Sequence, residues 1–200
     1  MAERKYDRKL HIKTVGLREW GNDVTAYNRY EATPYLALDK LFEHYKFNKG
    51  DHLVDFGSGR GRVAFYTHHR FQIPVTGVEA NDRTFEEAIK NKEMYKKKVK
   101  NDVPIDFVYA LAEQYEVDKK DNCFYFFNPF SLKIFKQVTR NILKSVKEHQ
   151  REIDLILYYP LPEFKEFLKI HTPFRKLNKV KVPGIHGKYG KFVIYRLNEW

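Results

Sequence analysis

Short apolar segments alternate with helix-like segments along most of this chain. Runs typical of buried strands occupy residues 51–56, 75–79, 105–110, 123–127 and 153–159. Helical periodicity or helix start and stop signals predict helices at 34–45, 62–70, 83–97, 132–147 and 162–170. Because neighbouring parallel strands need a crossover connection, this alternation predicts a parallel sheet with helices on both faces.

The end of the chain departs from that alternation. Segments 176–182 and 192–197 flank two glycine-containing turns with no helix between them, which predicts an antiparallel hairpin at the edge of the sheet. The expected fold is therefore α/β and doubly wound, with a seven-stranded, mostly parallel, Rossmann-like sheet and a C-terminal antiparallel hairpin. We expect residues 1–30 to form an N-terminal arm or lid and residues 31–200 to form a single domain.

Composition and charge indicate the class of protein and the cellular location to expect. The 200 residues are 42% hydrophobic, which suits one globular domain, and no apolar run approaches the roughly 20 residues that span a bilayer. The charged first ten residues do not resemble a signal peptide, so we expect a cytoplasmic protein without a membrane partner. The spacing of the histidines and the cysteine predicts no metal site, and the pattern does not indicate an oligomeric state.

The net charge of +11 is concentrated toward the C-terminus. Between residues 165 and 196 a single acid, Glu166, accompanies nine basic residues: Lys165, Lys169, Arg175, Lys176, Lys179, Lys181, Lys188, Lys191 and Arg196. Such an excess is typical of a nucleic-acid-binding surface, and it is equally typical of a solvated face in a lysine-rich protein. Both interpretations stay open at this point.

A glycine loop follows the first predicted strand. Gly57, Gly59 and Gly61 give the spacing G-x-G-x-G, directly before a predicted helix whose first amide groups point at the loop. The dinucleotide fingerprint G-x-G-x-x-G would need glycine at position 62, which is Arg62. The loop therefore predicts a nucleotide-type cradle and disfavours a pyrophosphate cofactor.

Two carboxylates frame this loop. Asp55 lies two residues before the first glycine, and Glu79 ends the second predicted strand. An ionised carboxylate at the tip of that strand is placed to accept hydrogen bonds from both ribose hydroxyls of an adenosine group. A tight turn beside a solvated acid is the alternative interpretation.

The block from 51 to 81 resembles the cofactor half of class I S-adenosylmethionine-dependent methyltransferases. The resemblance implies S-adenosyl-L-methionine as cofactor, with the methionine portion near Asp55, Gly57, Ser58, Gly59 and Gly61 and the ribose near Glu79 and Ala80. Many members carry an acid after the third strand that bonds the adenine amino group. Leu111 stands there in this chain, so we expect it to pack on the adenine while the Ala112 amide meets the base.

The tip of the fourth predicted strand reads Asn128-Pro129-Phe130. It resembles the Asn-Pro-Pro-Phe/Tyr motif of amino-methyltransferases, with one proline missing. The resemblance implies that these three residues are catalytic, that Asn128 accepts hydrogen bonds from a target amine next to the cofactor, and that Phe130 stacks on a planar substrate. The alternative is that Asn128 and Pro129 only terminate the strand.

Three further residues are candidates for a lid over the cofactor: Tyr27, Tyr30 and Thr33. They precede the first long predicted helix, and similar Tyr/Thr-Pro segments fold over the cofactor in some methyltransferases. An aromatic staple together with a helix cap at Thr33, followed by Pro34 in the first helical position, explains them equally well.

These features favour a methyltransferase that acts on a nitrogen atom of a macromolecule, with RNA or DNA ahead of protein. A small-molecule methyltransferase is the enzymatic alternative. A nucleic-acid-binding protein that keeps the fold without the chemistry is the alternative from another class, and the intact glycine loop with Glu79 argues against it.

Overall fold

The computed structural model describes residues 2–16, 27–28, 31–100, 103–184 and 190–198. These residues form six α-helices: α1 (Ala2–Leu10), α2 (Tyr35–His44), α3 (Arg62–Phe71), α4 (Asp82–Val99), α5 (Leu132–Glu148) and α6 (Pro162–His171). They also form seven strands: β1 (Leu53–Phe56), β2 (Val75–Glu79), β3 (Ile105–Tyr109), β4 (Cys123–Phe127), β5 (Ile153–Tyr158), β6 (Arg175–Lys181) and β7 (Lys191–Leu197). A 3₁₀ turn covers Ala112–Gln114.

One sheet contains all seven strands, in the order β3-β2-β1-β4-β5-β7-β6. Strands β1 to β5 are parallel, β7 is antiparallel to β5, and β6 is antiparallel to β7. The predicted fold class and the C-terminal hairpin are confirmed. One detail differs, because Pro34 itself is the N-cap of α2 and the Thr33 hydroxyl bonds Tyr125 instead of capping the helix.

The two faces of the sheet carry separate aromatic cores. On one face α1 to α4 cover the sheet, with Tyr35 and Phe65 fully buried among them. On the other face α5 and α6 pack on the sheet, and Phe135 of α5 stacks on Phe164 of α6 with ring centroids 4.2 Å apart. Among the described residues, no helix is both long and apolar enough to cross a membrane.

The parallel strands bring their carboxyl ends to a single edge of the sheet. Gly57 follows β1 there, Ala80 follows β2, Asn128 follows β4 and Tyr159 follows β5. The crevice outside this edge is where open α/β sheets bind their ligands. The topology therefore gathers the residues that the sequence singled out.

A buried carboxylate holds the N-terminal segment against the domain. Asp7 of α1 is 5% exposed and accepts hydrogen bonds from the Thr14 amide (2.6 Å), the Thr14 hydroxyl (2.7 Å) and the Tyr35 hydroxyl (2.8 Å). Arg62, the first residue of α3, donates from Nε to the same Thr14 hydroxyl and places its guanidinium 4.6 Å over the Tyr35 ring. Residues 2–16 thus brace the helix that begins at the glycine loop.

We predict that Asp7→Asn destabilises the protein by about 2–4 kcal/mol, because an amide nitrogen would then face buried donors. The matched control is Asp106→Asn, whose carboxyl is 78% exposed and pairs with Lys92 at the surface. That change should cost less than about 1 kcal/mol. Urea unfolding of both variants measures the difference, and equal losses would contradict the role given to Asp7.

Candidate functional site

The glycine loop needs its glycines for its own conformation. Gly57 and Gly61 have φ angles of 75° and 85°, in the left-handed region that other residues rarely adopt. A β-carbon at Gly57 would lie 2.6 Å from Pro129, and one at Gly61 would lie 2.5 Å from Phe107. The loop is therefore packed between Pro129, at the tip of β4, and Phe107 of β3.

Glu79 ties this loop to the start of α4. The side chain is 6% exposed, and its two oxygens accept hydrogen bonds from the amides of Gly59 and Asn81, each at 2.8 Å. Burial raises the pKa of Glu79, while backbone hydrogen bonds from Asn81, Gly59 and Ala80 act in the opposite direction. Each carboxylate oxygen keeps a lone pair for a further donor.

Asp55 lies below the same loop and is buried as well, but its carboxyl is less fully hydrogen-bonded than that of Glu79. It is 2% exposed, and its Oδ2 has no hydrogen-bond partner among the described residues; the same holds for Oγ of Ser58. Burial, followed by the negative charge of Glu79, raises the pKa of Asp55 to about 8. Buried polar atoms are nearly always paired, so two unpaired ones, one in β1 and one in the loop that follows it, indicate a place for a polar ligand.

A small cavity connects these atoms to the segment before α2. Asp55 and Ser58 line it together with Thr33, Arg62 and Tyr125. The hydroxyls of Thr33 and Tyr125 lie 2.8 Å apart and are hydrogen-bonded. The structure thus brings Thr33, one of the lid candidates, to the glycine loop.

Asn128 has a strained backbone and a free side-chain oxygen. Its φ of 41° is in the left-handed region, and its buried Oδ1 has no hydrogen-bond partner among the described residues. The backbone carbonyls of Asn128 and Pro129 accept hydrogen bonds from the side chain and the backbone amide of Asn28, at 2.6 and 2.9 Å. The Asn128 side chain therefore supplies the acceptor that remains in this turn.

A cleft of about 550 Å³ opens beside Asn128. Its walls are Asn28, Glu31, Pro34, Phe127, Asn128, Tyr158 and Tyr159. Sequence reasoning singled out Asn128 alone from this set. Tyr158 is the last residue of β5 and Tyr159 follows it at the same edge of the sheet, so the strand-tip position that singles out Asn128 in the sequence applies to them as well.

Phe130 lies in the core, whereas the sequence analysis expects it to stack on a planar substrate. The residue is 1% exposed, and its ring packs edge-on against Phe126 and Tyr27, with centroids 6.2 and 5.9 Å away. The turn at Asn128 returns the chain to the core before position 130. Aromatic walls of the cleft come from Phe127, Tyr158 and Tyr159 instead.

Tyr27 reaches the tip of β3 from the other side. It forms an isolated antiparallel bridge with Phe130, and its hydroxyl donates to Glu113 Oε2 (2.7 Å) and accepts from the Ala112 amide (3.0 Å). The Ala112 amide, which the sequence analysis expects to bond the adenine, therefore donates to the Tyr27 hydroxyl instead. Leu111, beside it, is 39% exposed, and Tyr30 lies outside the described residues.

The strand order and the helices on both faces of the sheet are those of the class I methyltransferase fold, which solved structures share. A human methyltransferase 10 domain containing protein superposes with a TM-score of 0.63 at 14% identity, covering 99% of this chain and 94% of that one. An RNA methyltransferase from Salinibacter ruber, in complex with S-adenosyl-L-homocysteine, gives 0.56 at 18% identity, covering 83% and 92%.

A third structure shares only part of its length. The tRNA (uracil-54, C5)-methyltransferase of Pyrococcus abyssi, in complex with S-adenosyl-L-homocysteine, gives a TM-score of 0.53 at 17% identity, covering 80% of this chain and 36% of that one. Likeness at such identities establishes the fold. No protein-family model matches the sequence, and no curated protein matches it either. Within the described ranges, no group of three or more side chains is arranged to hold a metal ion.

We predict that Asp55→Asn raises thermal stability more at pH 8 than at pH 5. The folded-state pKa of Asp55 is raised to about 8, so its contribution to stability is present below the unfolded value near 3.8 and is lost as the pH rises toward 8. Asparagine does not ionise. Each pKa unit is worth about 1.4 kcal/mol, and the window from pH 5 to pH 8 covers about three units. The variant should therefore gain roughly 8 °C or more in Tm at pH 8 relative to pH 5.

Scanning fluorimetry at both pH values measures this difference. The exposed substitution Asp106→Asn serves as the control, and its Tm difference from the wild type should stay constant with pH. A pH-independent effect of Asp55→Asn would show that the carboxyl is already ionised in the free protein.

Proposed function

We propose that this protein is an S-adenosylmethionine-dependent methyltransferase that transfers the methyl group to a nitrogen atom of RNA. The observation that carries the proposal is the pair of unsatisfied buried atoms under the glycine loop, Asp55 Oδ2 and Ser58 Oγ, with Glu79 at the tip of the adjacent strand. This arrangement matches the donors and acceptors of a methionine joined to an adenosine.

The proposal assigns one residue to each polar group of the cofactor. Asp55 would accept a hydrogen bond from the methionine ammonium, and Ser58 would donate to the methionine carboxylate. Glu79 would accept from the ribose hydroxyls through the lone pairs that the loop amides leave over. When bound, the cofactor supplies a methyl group carried by a positively charged sulfur.

On the adenine side, Leu111 offers an exposed apolar surface, and Tyr27 covers the strand tip beside it. Because the Tyr27 hydroxyl holds the Ala112 amide, the base would pack against Leu111 while Tyr27 closes the pocket edge. Two solved structures of the same fold, from Salinibacter ruber and Pyrococcus abyssi, contain S-adenosyl-L-homocysteine, which supports this choice of cofactor.

For the acceptor, the cleft beside Asn128 suits a flat molecule with an amino group. Asn128 Oδ1 would accept a hydrogen bond from that amine, and the rings of Phe127, Tyr158 and Tyr159 would bound its plane. Methyl transfer is a displacement whose main requirement is near-attack geometry in a site that excludes water. Asn128 therefore acts by orienting the nitrogen, and RNA as its source is supported by two solved structures of the same fold, an RNA methyltransferase and a tRNA methyltransferase.

The Glu79→Gln variant tests the cofactor assignment. It removes one charge and turns one acceptor toward the loop amides into a donor, so the affinity for S-adenosyl-L-homocysteine should fall about tenfold or more. The exposed substitution Glu86→Gln, on α4, should leave the affinity unchanged within about twofold. Isothermal titration of both variants measures the effect, and a wild-type protein that binds no S-adenosyl-L-homocysteine would exclude the proposed function.

The Asn128→Ala variant tests the acceptor assignment. We expect it to lower the rate of labelled methyl transfer to RNA by about 100-fold or more, since an orienting hydrogen bond in the transition state is lost. Its affinity for S-adenosyl-L-homocysteine should change less than about twofold. Unaltered methyl transfer by this variant would remove Asn128 from the mechanism. If the wild type in a cell extract labels only small molecules, the acceptor is a small molecule and not RNA.

A further inference from the structure

The edge strand β6 places its lysines on one face of the sheet. In the hairpin, Lys176 pairs with Tyr195, Lys179 with Val193 and Lys181 with Lys191. Paired residues of antiparallel strands point to the same face. Val193 and Tyr195 belong to the core under α5 and α6, so the three β6 lysines point toward the α6 side of the sheet.

A β-bulge produces this common direction. The register shifts between Lys176 and Asn178, so Leu177 is the extra residue, and it is 49% exposed. In a regular strand, residues 176 and 179 would point to opposite faces because side chains alternate. The bulge turns Lys176 to the side of Lys179 and Lys181. β-Bulges commonly redirect a side chain in this way.

Helix α6 adds further positive charge next to these residues. A groove of about 620 Å³ runs between α6 and β6, and its lining includes Lys165, Lys169, Lys176 and Tyr195, with Glu166 as the acid. We call the following set the lysine face: Lys165, Lys169, Lys176, Lys179, Lys181 and Lys191. Burial lowers the pKa of Lys191, and the ammonium groups of Lys179, Lys165, Lys181 and Lys176 lower it further.

One end of the lysine face lies at the edge of the sheet where the cleft opens, while the aromatic walls of the cleft, Phe127, Tyr158 and Tyr159, pack on the other face of the sheet. The Lys181–Lys191 pair lies at the end of the hairpin where β5 finishes, and the Tyr159 amide donates to the Lys191 carbonyl at 3.1 Å. Tyr159 is a wall of the cleft beside Asn128. From Lys181 to Lys176 the strand runs away from the cleft for about 16 Å, at roughly 3.3 Å per residue.

We propose that the lysine face binds the phosphodiester backbone of single-stranded RNA and leads the target base into the cleft. The inference rests on the proposed function. Lysines that track a backbone contact phosphates and carry no sequence information, so the face supplies affinity and direction. A single strand is required because a base must leave its stack to reach a reactive group in a cleft.

The test compares two triple variants of the full chain with the same change in charge. Lys176→Gln, Lys179→Gln and Lys181→Gln together remove half of the lysine face. Lys96→Gln, Lys97→Gln and Lys98→Gln together remove three exposed lysines at the end of α4, on the β3 side of the sheet. Fluorescence anisotropy with a short labelled single-stranded RNA of mixed sequence gives Kd across a series of salt concentrations.

We expect the β6 triple variant to bind this RNA about tenfold or more weakly, and its plot of log Kd against log salt to be shallower by about 2, since each lost single-strand phosphate contact contributes about 0.7. The α4 triple variant should change Kd less than about threefold. Equal losses in both variants would overturn the inference, because binding would then follow net charge alone.

Two further arms separate the remaining outcomes. Titration with S-adenosyl-L-homocysteine should give the same affinity for wild type and both variants; a wild type that binds RNA through β6 but no cofactor would defeat the proposed function and leave the RNA surface standing. Label transferred to a DNA strand of the same sequence at least as fast as to RNA would overturn the choice of RNA. If phosphatidylserine vesicles bind the lysine face and RNA does not displace them, the choice of RNA would be overturned as well.

Discussion

Two carboxylates buried at the ends of neighbouring parallel strands organise this structure. Burying a carboxylate is costly unless donors surround it. Glu79 meets that requirement with amides of the glycine loop and the start of α4, so the loop and the helix are fixed relative to the sheet. Asp55, two residues before the loop, lacks such donors, since its Oδ2 has no partner among the described residues. Burial and the negative charge of Glu79 therefore raise the pKa of Asp55 to about 8.

This contrast links the fold to the proposed chemistry. The parallel topology brings β1, β2, β4 and β5 to one edge, where the same pattern recurs at Asn128, whose side-chain oxygen is buried and unpaired. The surrounding backbone is already satisfied by Asn28. Three of the buried polar atoms without partners among the described residues, Asp55 Oδ2, Ser58 Oγ and Asn128 Oδ1, therefore lie at two adjacent places, one under the glycine loop and one at the cleft, as a donor and an acceptor site would require.

Much of the fold and the position of the glycine loop can be predicted from the sequence, because their signals are local. The bounds of β2 and β4 follow from apolar runs ending in a polar residue, and the G-x-G-x-G spacing locates the loop. The orientation of Phe130 was not accessible, because it depends on the left-handed turn at Asn128 and on contacts with Tyr27, about a hundred residues away along the chain. The link between Tyr27 and Ala112 and the bulge at Leu177 depend on tertiary pairing in the same way.

Under the proposed function, Asp55 is protonated in the free protein and becomes a carboxylate when the ammonium group of the cofactor binds beside it. Calorimetric titration of the wild type with S-adenosyl-L-homocysteine at pH 7, in two buffers of different ionisation enthalpy, counts the protons released on binding. A pKa of about 8 predicts release of nearly one proton by the wild type and none by Asp55→Asn. Equal proton release by the two proteins, or binding by the wild type without release, would contradict this role of Asp55.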